Sequence, residues 1–316
     1  MFSRFCLGWV LLFTAIQAKD ITPTFRMHAS GVVTDFVIDG TRLYAGTDMG
    51  RVDIFDLNSK KIVSQITLEP ILTGRGELVP PRVQSVDRFN GKTLIVSAGT
   101  KAFRNVYVHE NGVLTKTIDE SKELVVKEAR FIDDERIMMG TFGAEMILYD
   151  TQEKFQAYKS HVSQSTFGDI ALSEDHKKMI MSDESGSIRL IDIESSNVEQ
   201  VLSSENLDNV YKVAYSSGVI ITGGQDRKVG VYQLGKKAYH IKSDFLVYSV
   251  ALSPSGKLGA YSSGADSKLQ IFHTSDGRKT DCLIGHYAVV NTIKFMNEKE
   301  LFSSGDEEDI FYWKLD

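Results

Sequence analysis

The sequence predicts an all-β fold, a seven-bladed β-propeller closed by an N-terminal strand that joins the last blade, and three observations predict it. The strings IFD (54–56), YVH (107–109), LYD (148–150), LID (190–192), VYQ (231–233), IFH (271–273) and YWK (312–314) recur, and their last residues lie 53, 41, 42, 41, 40 and 41 positions apart. A period of about 40 to 45 residues is that of a propeller blade. About 20 residues before each string stands a short apolar segment: 33–38, 83–89, 126–131, 167–172, 210–215, 247–252 and 290–295. Between the two lies a turn rich in Gly, Asn, Asp or Ser and a further β-prone run, as in LYAG (43–46), LIVS (94–97), VIIT (219–222) and LFSS (301–304). Each unit therefore reads as strands a, b and c with a weaker outer strand d. Runs this short, enriched in Val, Ile, Tyr and Phe, do not suit helices.

Taken in chain order, residues 1–18 read as a secretory signal peptide. Arg4 supplies the positive start, Phe5 to Phe13 the apolar run and Ile16-Gln17-Ala18 the exit, with cleavage before Lys19. The apolar run is too short for the roughly 20 residues of a spanning helix. No membrane span is expected after cleavage, and residues 19–316 are assigned to one propeller domain. The last string ends near the C-terminus, so blade seven lacks a fourth strand of its own. Residues 21–27 are expected to supply it, which removes two exposed sheet edges. The long first interval places an insertion, residues 67–82, between blades one and two.

Composition narrows the function classes. Without the leader, 35 basic residues face 42 acidic ones, a net charge of about −7, and no basic stripe offsets it. Nucleic acid is therefore not an expected partner. Cys282 is the lone cysteine after the leader, so an intramolecular disulfide is excluded. The seven histidines form no HxxxH or HExxH pattern, and CxxCH, GxSxG and P-loop motifs are absent. No metal, cofactor or catalytic residue is expected on these grounds. The repeated tryptophan motif of quinone-dependent propeller dehydrogenases is also missing, Trp313 being the one Trp after the leader.

Gly285-His286, Ser303-Ser304-Gly305, Glu307 and Trp313 resemble the hydrogen-bonded set of WD40 blades, so these residues are expected to be structural. Asp226 in TGGQD (222–226) and Asp266 in SSGAD (262–266) hold the equivalent acidic position in blades that lack the Gly-His and the Trp. The closer resemblance, leader included, is to the WD40-type L component encoded with periplasmic nitrate reductase in epsilon-class proteobacteria. It is carried by GVIITGGQDRKVGVY (218–232), FLVYSVALSPSGK (245–257) and MSDESGSIRL (181–190). The resemblance implies a periplasmic, non-redox helper in nitrate reductase maturation or electron supply.

Two functional classes follow. In the first, the chain is a non-catalytic protein-binding platform. Its contact surface would combine the insertion with the neighbouring 100–104 loop, gathering Arg75, Arg82, Lys101 and Arg104 around Phe103. Arg and aromatic anchors concentrate interface energy. In the second, a small ligand is sensed or transformed in the central channel. Alternation in the a strands puts Gln84, Lys127, Tyr211, Tyr248 and Asn291 around one mouth of that channel.

Overall fold

The computed structural model describes residues 19–233 and 235–315; the leader assigned to residues 1–18 lies outside the described residues. Seven blade sheets follow one another along the chain, six of four antiparallel strands and one, blade six, of five. Blade one shows the pattern, with strand a at Val33–Asp39, b at Arg42–Thr47, c at Arg51–Asp56 and d at Lys61–Thr67. Each recurrent string lies on a c strand, and each apolar segment on an a strand. No helix is long and apolar enough to cross a membrane, among the described residues.

Period-2 alternation lets each sheet present apolar side chains on both faces, and the neighbouring blades cover them. Seven hydrophobic clusters result, one for each junction between adjacent blades. The b strands come close enough that side chains are excluded at one recurrent position. A Cβ on Gly46 would lie 2.5 Å from Val83, one on Gly140 2.5 Å from Phe167, and one on Gly223 2.6 Å from Val247. In each case the obstacle is the start of the next blade's inner segment. Glycine at these points sets the spacing between blades.

The chain end closes the ring, but not as one strand. Phe25–His28 pairs antiparallel with Asp309–Lys314 as the outer strand of blade seven. Asp20–Ile21 instead pairs in parallel with Lys279–Leu283 and gives blade six a fifth strand. The expected continuous strand over 21–27 is therefore corrected to two short strands on two blades. Pro23 stands between them and has no N–H to give to a ladder. Ile21 is buried with Leu283 and Trp313 in the cluster between blades six and seven, while Met27 is buried in the cluster between seven and one. One segment thus seals both junctions of the last blade.

Two further elements depart from expectation. The insertion is not a plain loop, because Ile71–Leu72 and Leu78–Val79 pair as a small hairpin. Its turn is tied by the Thr73 hydroxyl, which accepts from the amides of Arg75 and Glu77. Strand a of blade six is only Val250–Leu252, since the amides of Tyr248 and Ser249 donate to the side-chain hydroxyl of Ser262 on the neighbouring strand, at 2.9 and 3.1 Å, rather than to a backbone carbonyl.

Candidate functional site

Because strands run alternately up and down, the d-to-a and b-to-c connections share one face of the disc and the a-to-b and c-to-d turns share the other. The first of these, the insertion face, carries an uneven share of the exposed large apolar side chains. Met49 and Phe142 stand on b-to-c turns, Leu72 and Leu78 on the inserted hairpin, and Leu207, Tyr287 and Val289 on d-to-a loops. Leu207 and Leu78 are 74% and 71% exposed. Leu72 and Leu78 are direct cross-strand partners, so they form one apolar patch on the projecting hairpin. Of the other exposed large apolar residues, among the described residues only Met296 lies in a turn of the opposite face, the rest belonging to outer strands.

The basic residues expected on this face are divided between two features. Arg75 is exposed on the hairpin turn, and Arg82 is exposed where the insertion returns to blade two. The Arg82 carbonyl accepts the Ala98 amide at 2.9 Å, which holds the return beside the next b-to-c loop. In that loop Lys101 is exposed with a left-handed backbone, φ 52°. Phe103 and Arg104 are half-buried. Arg104 donates to the carbonyls of Ala102 and Phe103, and burial lowers its pKa from the ordinary arginine range. Its guanidinium supports its own turn, whereas Lys101 and Arg75 are presented outward.

The residues expected around the channel mouth form separate pairs. Tyr211 and Tyr248 stack with ring centroids 5.3 Å apart and 10° between planes, and the Tyr211 hydroxyl donates to Gln225 at 2.9 Å. The Lys127 ammonium donates to the carbonyl of Phe167 at 3.2 Å and to that of Gly168; burial lowers its pKa. Asn291 donates to Asp306 at 3.3 Å. Gln84, Lys127 and Tyr211 line a small cavity of about 140 Å³ at this mouth.

Deeper in the channel lies a feature the sequence reading missed. The third residue of each a segment points to the axis and reads Asp35, Ser85, Glu128, Asp169, Lys212, Ser249 and Thr292 around the ring. Three of the acids fasten their blade to the next one. Asp35 accepts the Val86 amide at 3.0 Å, Glu128 the Ile170 amide at 3.4 Å and Asp169 the Val213 amide at 2.9 Å. One layer further along the axis, Asp87 accepts the Phe131 amide at 2.8 Å. Where serine replaces the acid it donates instead, Ser249 to the Val290 carbonyl at 3.0 Å. Buried carboxylates need counter-charge, supplied by Arg130 on Glu128 and by Lys212 on Asp169, the latter at 3.1 Å. Burial pushes the Glu128 carboxyl up to about 7 against the pull of Arg130. For Asp169 burial is outweighed by Lys212 and by hydrogen bonds from Glu128 and the Val213 amide, which hold it at about 2. Of this pair, Glu128 therefore holds its proton to higher pH than Asp169. The signal was an acid in each of the first four a segments.

Blade seven holds a buried relay. The Trp313 indole N–H donates to the Ser303 hydroxyl at 2.7 Å, Ser303 contacts His286 Nε2 at 2.6 Å, and His286 Nδ1 contacts Glu307. The donor order is self-consistent with Nδ1–H given to the carboxylate and Nε2 accepting from Ser303. The His286 and Glu307 side chains are both fully inaccessible, so no substrate reaches that pair. Blade five repeats the relay with other residues. Thr222 bonds Asn206 at 2.5 Å, and the Asn206 amide donates to Asp226 at 3.2 Å. Asn206 thus stands where blade seven has His286. Asp266 has no such chain; it is exposed and pairs with Lys268 at 2.6 Å.

No protein-family model and no curated protein matches the chain. Among solved structures it is similar to the β-propeller domain of Cps50 (Swd1) from Myceliophteria thermophila, with a TM-score of 0.75 and 14% sequence identity. That superposition covers 93% of this chain and 99% of the other. At this identity the likeness concerns the fold alone, a WD40-like seven-bladed propeller.

Proposed function

We propose that this chain is a non-catalytic, periplasmic protein-binding scaffold that serves nitrate reductase maturation or electron supply. The observation that carries the scaffold reading is the asymmetry of the disc. Among the described residues, seven exposed large apolar side chains stand on the loops and hairpin of the insertion face and one on the turns of the other. Contiguous exposed apolar patches mark interaction surfaces, and the cross-strand pair Leu72 and Leu78 forms one on the projecting hairpin. The periplasmic address rests on the leader-like residues 1–18, and the nitrate reductase link on the resemblance of the 181–190, 218–232 and 245–257 segments. Capture of purified periplasmic nitrate reductase on the immobilised mature chain tests the reading. Saturable binding that is lost in Leu72→Ser with Leu78→Ser is expected. Failure of the wild-type chain to bind any component of that system would contradict it.

A second reading, a small-ligand sensor or enzyme working in the central channel, is supported by a cavity of about 420 Å³ on the axis. That volume lies within the roughly 300 to 1,000 Å³ of small-molecule sites.

A further inference from the structure

The axial cavity opens away from the stacked tyrosines, and its lining is sorted by chemistry. Its collar is apolar, with Phe89, Leu172, Tyr215, Leu252 and Phe295 from five blades. Phe89 packs against Phe131 at 6.3 Å and against the His176 ring at 5.6 Å, which makes one wall aromatic. Its floor is the charged ring.

Four cations line the cavity, of which Arg88 is held by Asp39 at 2.8 Å; of the three at the floor, two are committed. Arg130 is held by Glu128 and by the Ser85 hydroxyl at 2.9 Å, and Lys212 by Asp169. The third, Lys294, also lines the cavity, yet no described residue hydrogen-bonds or ion-pairs with its ammonium. Burial lowers its pKa, and Arg130 and Lys212 add to the effect while Asp35 and Asp169 oppose it. An anion seated beside it would therefore strengthen the charged form. The acids are less available to a cationic ligand. Both oxygens of Asp35 accept amides, from Phe36 and Val86, both oxygens of Asp169 are engaged by Lys212 and Val213, and Asp87, which also lines the cavity and feels the Lys294 charge without contacting it, accepts the Phe131 amide. A dianion would meet these carboxylates for the sake of one free ammonium, so the floor suits a single negative charge.

We propose that the channel binds a small monocarboxylate with an apolar body, its carboxylate on Lys294 and its body within the Phe89, Leu172 and Phe295 collar. The inference rests on the channel reading and is independent of the insertion face. Isothermal titration calorimetry of the full mature chain with benzoate, benzamide and inorganic phosphate tests it. Benzoate is expected to bind about tenfold or more tighter than its neutral isostere benzamide, with phosphate weaker than benzoate. Lys294→Met, which keeps the length of the side chain, is expected to abolish the preference for benzoate, and Lys294→Arg to retain it. Equal binding of benzoate and benzamide, or a preference kept by Lys294→Met, overturns the assignment. Phosphate binding tighter than benzoate overturns the ligand class while leaving a channel site standing; heats of dilution alone for all three probes overturn both. Should Lys294→Met fail to fold, the three probes on the wild-type chain still decide.

Discussion

Blades one to four and blades five to seven are joined at the axis by different chemistry. On the first side a carboxylate from each blade accepts an amide of the next, through Asp35, Asp87, Glu128 and Asp169. On the second side the inner positions hold Lys212, Ser249 and Thr292, and the polar fastening moves outward to the Asn206 and His286 relays and to the chain-end strands. The first solution sets carboxylates at the axis beside buried cations; the second runs through hydroxyl, amide, imidazole and indole groups and ends on the carboxylates of Asp226 and Glu307, with no Lys or Arg side chain as a link in either relay. The two halves should therefore differ in how much a single deletion costs and in how they respond to pH.

The largest expected effect is at the charged side. Asp169→Ala removes the acceptor of the Val213 amide and leaves Lys212 without its partner, which should cost roughly 3–5 kcal/mol in denaturant unfolding. His286→Ala on the second side leaves Ser303 and Glu307 unsatisfied but no cation stranded, so about 1–3 kcal/mol is expected. A histidine variant costing more than the aspartate variant would reverse the comparison.

Acidity sharpens it next. Glu128 has a folded-state pKa of about 7, above the ordinary 4.5. Its contribution is therefore fully present below about 4.5 and is lost as pH rises through 7. Asp169, held at about 2, contributes in the opposite sense, and its share is lost only as pH falls toward 2. Melts of the wild-type chain should thus decline between about pH 5 and 8, and Glu128→Gln should flatten that slope. An unchanged slope would place the titrating group elsewhere. The smallest effect belongs to Ser249→Ala, which removes one hydrogen bond to the Val290 carbonyl and should cost about 1 kcal/mol in the same unfolding experiment.

The blades were legible in the sequence because a 40-to-42-residue spacing of c-strand strings survives even where the loop motifs have decayed. The split of the closing segment was not, although Pro23 marked it, since Phe25–His28 alone supplies the strand blade seven lacks and the repeat count calls for no fifth strand on blade six. The acids at the axis were visible in VTDFVI, VQSVDRF, VKEARF and FGDIAL, but only the a-strand geometry reveals that they face the next blade's amides. Asn206 escaped notice because it does the work of a histidine without being one, with Thr222 in the place of Ser303. Arg104 looked like a free cation, and only coordinates show its guanidinium turned to its own loop. The inserted hairpin left no signal in the sequence because its two strands are two residues each.

The central claim, that the insertion face docks a protein, is tested most directly by the affinity of periplasmic nitrate reductase for three chains: wild type, Leu72→Ser with Leu78→Ser, and Met296→Ser on the opposite face. The hairpin variant should bind about tenfold or more weakly, a loss of about 1.4 kcal/mol, with an unchanged melt, and Met296→Ser should bind as wild type. Wild-type affinity in the hairpin variant together with loss in Met296→Ser would contradict the account.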